Sequence, residues 1–108
     1  MATLRELMQL PGAVAAGIYD DHGNLVAYAG DISEKAAEIA ALMASANKAV
    51  ANMQAKGWTE YTGKEGFFPV QGFAVAAGKY AACIAGNVGV FVELDKADFD
   101  KIWETIMP

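Results

Sequence analysis

Cysteine, histidine, proline and positive charge are all scarce in this chain. Its 108 residues hold one cysteine, Cys83, and one histidine, His22. A single thiol closes no internal disulfide, so a reducing compartment suffices. Eight basic residues stand against thirteen acidic ones, a net charge of −5, and the basic residues form no cluster. Binding nucleic acid without regard to sequence needs several cations to neutralise phosphates, and an anionic membrane surface asks for the same. Neither partner is expected. No run approaches the roughly 20 apolar residues of a membrane span, and MATLRELMQL lacks the basic start and apolar core of a secretory signal. These absences imply a cytoplasmic protein with one domain over residues 1–108, large enough to bury a core without covalent staples.

What the chain does have is small apolar side chains. The hydrophobic fraction is 55%, much of it alanine and valine, which suits close backbone approaches and several buried layers. The stretch 31–57 concentrates them and reads as one long helix, with Asp31 and Glu34 forming an N-terminal box and Gly57 a left-handed C-cap. Ile32, Ala36, Ile39, Met43, Ala46, Val50 and Met53 fall on one stripe, widened by Leu42 and Ala49. The opposite side carries Ala37, Ala40, Ala41, Ala44, Ala51 and Ala55, interrupted by Lys48. One sheet occupies one stripe. The expectation is that the bulky stripe grips the chain's own strands and the small-residue face meets a partner.

Around that helix the punctuation is regular. Thr3 and Glu6 have capping-box spacing ahead of Leu4, Leu7, Met8 and Leu10, and Pro11-Gly12 ends the short helix. Residues 13–19 read as a strand, Asp20 to Asn24 as a hairpin turn and 25–29 as the returning strand. After a loop at 58–66, residues 67–77 read as a strand whose Pro69 places it at a sheet edge. Two further strands, 80–85 and 88–93, follow tight turns, and Asp95 opens a closing helix lined by Phe99, Ile102, Trp103 and Ile106. The order is α-β-β-α-β-β-β-α, an α+β sandwich on a five-stranded antiparallel sheet. Strands apolar on both faces imply two covering layers: the long helix on one side, the short terminal helices on the other. A helix of about 24 residues runs about 36 Å, whereas five strands span about 19 Å, so the helix overhangs its sheet.

Chemistry finds little support. His22 sits in a hairpin turn, where histidine tolerates unusual backbone angles, and Asp20 and Asp21 beside it leave a metal short of ligands. Cys83 lies mid-strand among apolar neighbours, as a small hydrophobe does. Residues 72–80 imitate a phosphate-binding loop but have five residues between the glycines and Tyr80 where a hydroxyl should bind magnesium. The carboxylates Glu93, Asp95, Asp98, Asp100 and Glu104 complement the start of the last helix. Trp58, Tyr61, Phe67 and Phe68 are the candidates for contact with a partner, or else seal one end of the core. No cofactor is implied.

This order resembles the roadblock/dynein light chain domain, a profilin-like fold. The residues that carry the resemblance are Pro11-Gly12-Ala13-Val14 leading into the first strand, the turn Asp20-Asp21-His22-Gly23-Asn24, the alanine-rich helix after Gly30-Asp31 and the strand after Gly86-Asn87. It looks most like small stand-alone prokaryotic members. The resemblance implies a homodimer joined through the long helix and third strand, here Ala37, Ala41, Ala44, Lys48, Ala51 and Ala55 with Phe73 and Val75. It implies a non-catalytic adaptor or regulatory module for a small GTPase or a metabolic complex, with oxidative sulfur metabolism one context. The alternative is a small-molecule sensor with a pocket between sheet and long helix, near Trp58 and Phe68.

Overall fold

Thr3 accepts a hydrogen bond from the Glu6 amide while Glu6 reaches back to the Thr3 amide, and this reciprocal cap starts the first helix. The computed structural model describes residues 2–107. Its elements are α1 (Leu4–Met8), β1 (Ala13–Tyr19), β2 (Leu25–Gly30), α2 (Glu34–Thr62), β3 (Gly72–Ala76), β4 (Tyr80–Ala85), β5 (Val88–Glu93) and α3 (Phe99–Ile106). Order and number agree with the sequence reading. The strands form one antiparallel sheet in the order β2-β1-β5-β4-β3, so β3 lies at an edge as expected, although Pro69, from which that position was argued, falls before the strand begins.

One layer packs α1 and α3 on the sheet. Leu7, Leu10, Ile102 and Ile106 close over Cys83, Val88 and Val92. The β1–β2 hairpin then brings Gly30 against β1. Its φ of 94° belongs to glycine, and a Cβ there would collide with the Val14 carbonyl oxygen and sit 2.7 Å from the Ala15 Cα.

The other layer is α2 alone, and here the sequence reading needs correction. Ser33, not Asp31, caps the helix, accepting from the Ala36 amide at 3.1 Å. Gly57 does not end it. The helix runs on through Trp58 to Thr62 and stops at Gly63, whose φ of 69° is left-handed. Its 29 residues reach about 43 Å at 1.5 Å each, the full 42 Å length of the molecule. The inward face is also the reverse of the expected one. Ala37, Ala41, Ala44 and Ala55 are buried, with Ala41 and Ala44 against Tyr19 and Ile84, while Ile39, Leu42, Met43, Val50 and Met53 are exposed. Complementary bulk sets the choice where Tyr19 and Ile84 rise from the sheet, since Ala41 and Ala44 are small enough to meet them.

Two smaller corrections concern ends. The third strand is Gly72–Ala76, far shorter than 67–77, since residues 67–71 are irregular. Asp98, not Asp95, caps the last helix, its carboxylate accepting from the Lys101 amide at 3.1 Å.

Candidate functional site

The outer surface of α2 is the most unusual part of the molecule. Leu42 is 61% exposed and Met53 73%, and Ile39, Met43 and Val50 are each about half exposed. Beside this stripe runs β3, an edge strand without a charged residue or a proline, so its outer peptide groups have none of the usual guards against pairing. Val75 at that edge is 54% exposed and lines the same cleft as Ile39 and Met43, which makes stripe and edge one continuous apolar surface. Monomeric soluble proteins seldom leave such a surface bare.

The residues expected to pair therefore divide. Ala37, Ala41, Ala44 and Ala55 are already buried within the single chain and have little area left to offer. Lys48, Ala51 and Phe73 are half-buried, and Val75 alone is freely exposed. The bulky stripe that sequence reasoning turned inward is the surface it missed. Its signal was present, as a second apolar face on one helix.

Of the four aromatic candidates, Trp58 and Tyr61 stand on the last turns of α2 and Phe67 and Phe68 in the loop after it. Trp58, Tyr61, Phe67 and Phe68 are all exposed, Tyr61 at 89%. The Lys56 ammonium lies 4.7 Å from the Phe68 ring centre, a cation–π contact. Asn52 accepts from the Val70 amide at 2.9 Å and ties the loop back to the helix.

Beneath the first half of α2 lies an apolar cleft of about 440 Å³. Its floor includes Ala15, Gly17 and Gly89, with Gly17 and Gly89 directly paired across β1 and β5. Ala36 and Ala40 roof it, and Ile39, Met43 and Val75 border it. An unfilled sealed void of this size would cost on the order of 10 kcal/mol, about the stability of a whole domain. The cleft is instead open along one side. It lies under residues 32–47, away from Trp58 and Phe68, so the pocket is not where the sequence reading put it.

Catalytic residue types are dispersed. His22 lies in the exposed hairpin, its amide donating to the Asp20 carboxylate at 2.9 Å. That carboxylate also accepts from Asn24, which holds the Asp20 carboxyl below the usual range. Cys83 is buried on the α1/α3 side, and burial pushes its thiol up, away from the reactive thiolate. Burial also pushes Tyr19 up to about 12, its hydroxyl donating to the Gly86 carbonyl at 3.0 Å. Among the described residues no three of His, Cys, Asp and Glu gather as a metal site would require, and no helix is long and apolar enough to cross a membrane.

A helix-covered antiparallel sheet with one long helix alone on a face is the architecture of the roadblock/LC7 domain. The structure superposes on a Roadblock/LC7 domain from Streptomyces avermitilis with a TM-score of 0.76 at 11% identity, covering 94% of this chain and 82% of that one. The gliding protein MglB of Thermus thermophilus gives 0.72 at 15%, covering 94% and 76%. An MglB described in a tetrameric arrangement gives 0.72 at 16%, covering 94% and 75%. By sequence, residues 3–107 match the family described as "Uncharacterized conserved protein (DUF2173)", and the chain belongs to it. No curated protein matches it in sequence.

Proposed function

We propose that this protein is a non-catalytic adaptor or regulatory module that acts as a homodimer. Two copies pair through the outer stripe of α2 and the bare edge of β3, and the aromatic end formed by Trp58, Tyr61, Phe67 and Phe68 meets a protein client. The observation that carries this reading is the stripe itself: five bulky apolar side chains on the solvent face of one helix, continuous with an unguarded strand edge. A strand edge supplies hydrogen bonds to an identical edge, and a flanking apolar stripe supplies the area a stable pair needs. That a solved MglB of the same fold is described as tetrameric agrees with a fold given to association. The client class that the roadblock resemblance suggests is a small GTPase.

Sedimentation velocity with light scattering tests the first half. The chain is expected to run as a dimer at about 50 µM, an affinity range common for modest interfaces; a strict monomer there overturns the proposal. A second reading, a small-molecule-binding domain, draws on the cleft beneath α2.

A further inference from the structure

Small residues on both sides of one interface leave room between them. Gly17 and Gly89 face each other in the centre of the sheet, and neither takes the positive φ that would explain a glycine by backbone need. A Cβ built on Gly17 finds its nearest neighbours at 3.8 Å, and on Gly89 at 3.5 Å. A methyl group would fit at both positions. The alanine roof of α2 repeats the pattern above them, and the result is the 440 Å³ cleft.

Its chemistry limits what can occupy it. Among the lining side chains only Tyr19 and Asn47 carry polar atoms. The Tyr19 hydroxyl already donates to the Gly86 carbonyl, and Asn47 lies exposed. The sheet's own peptide groups are paired in the β1–β5 and β4–β5 ladders. A ligand placing a donor or acceptor inside would leave it unsatisfied, so the enclosed part must be hydrocarbon. A cavity of roughly 150 Å³ takes one benzene, and this cleft is about three times that, which by the same measure holds at most roughly eighteen carbons.

We infer that the cleft between α2 and the sheet binds the hydrocarbon chain of a single-chain amphiphile, with the polar head left outside. A second copy is the rival occupant. One side chain from another helix fills roughly a third of the space by the same measure, and α2 itself roofs the floor, so a neighbouring copy reaches the mouth at Ile39, Met43 and Val75. One chain supplies the floor and the roof, so the inference does not rest on the pairing proposal, although the open side at Ile39, Met43 and Val75 is shared with it.

The test uses delipidated full-length protein. Palmitic acid is titrated by calorimetry, cis-parinaric acid is displaced fluorimetrically, and sedimentation is run in parallel. One chain bound per protein is expected, with affinity falling steeply from palmitic to hexanoic acid and hexadecanol binding as palmitic acid does, because the head takes no part. Gly89→Leu occupies the floor and is expected to weaken binding at least about tenfold, with circular dichroism confirming the fold. Met43→Glu, on the exposed rim where folding is not at risk, is expected to weaken it about tenfold by placing charge beside the tail. Failure to bind at about 100 µM, indifference to chain length, or unchanged binding in both variants overturns the inference. If palmitic acid is not taken up and Gly89→Leu instead weakens dimerisation, the cleft belongs to the contact between copies and the inference falls while the pairing proposal stands.

Discussion

Leu42 separates the two possible orientations of the long helix. It is 61% exposed in the single chain, whereas Ala44, two residues on, is 6% exposed and packs with Tyr19, Ala41 and Ile84. Burying a leucine side chain completely is worth about 1.5–3 kcal/mol. Some three-fifths of that, about 1–2 kcal/mol, remains to be gained at an interface. In a two-fold dimer the residue counts twice, so Leu42→Ala should weaken pairing by about 2–4 kcal/mol, or roughly 30- to 1000-fold in Kd. Its effect on the isolated fold should stay within about 0.5 kcal/mol. Ala44→Glu should do the opposite, costing the fold about 2 kcal/mol or more through an unpaired buried charge. Sedimentation equilibrium measures the first quantity, and urea denaturation below the dimer Kd measures the second. If Leu42→Ala unfolds the chain easily while leaving association intact, the bulky stripe faces inward and the account of α2 is wrong.

Two further predictions concern the scaffold. Gly30→Ala should cost at least about 3 kcal/mol, left-handed strain of about 1–2 kcal/mol plus a clash with the backbone of β1, whereas Gly63→Ala, equally left-handed but in open space, should cost only the strain; equal urea midpoints for the two would refute the packing of the hairpin on β1. Tyr19 is raised from 10.0 to about 12 by burial, so the unfolded chain loses this proton first: its contribution is whole below pH 10 and is lost as pH climbs to about 12, roughly 2 kcal/mol in all. Tyr19→Phe should flatten the stability curve across that window, and an unchanged slope would place the ring in water.

Element order was legible because turns and caps are written in local chemistry. Pro11-Gly12, the Asp20–Asn24 turn and Gly86-Asn87 each mark a reversal, and Thr3 with Glu6 makes a box that the structure forms. The end of α2 was not legible for a definite reason. Gly57 and Gly63 are both plausible C-caps, and the cost of a helical glycine, about 1 kcal/mol, is small enough for the helix to run through the first and stop at the second. The inward face escaped for another reason. Periodicity shows that α2 has two apolar faces but says nothing of the side chains beneath it. Those include Tyr19, Ile84 and the half-buried Phe73, brought together from three strands, and their bulk selects the alanines. The cleft was hidden likewise. Glycine and alanine read as close packing when seen one strand at a time, and Gly17 becomes a trough only when the register sets it against Gly89.

Ile39, Met43 and Val75 belong at once to the proposed pairing surface and to the mouth of the cleft. A copy docked there covers an enclosed chain, and an enclosed chain props the mouth against which the copy docks. The two equilibria then share a free energy, and linkage requires each to shift the other by one common factor. Coupling energies of this kind are typically 1–3 kcal/mol, or about 5- to 150-fold. The dimer Kd is measured with and without saturating palmitic acid, and palmitic acid affinity is measured well above and well below that Kd. The two ratios must agree and exceed unity. Ratios of one, with both binding events observed, would mean that chain and copy approach from different sides, and the shared mouth would have to be given up.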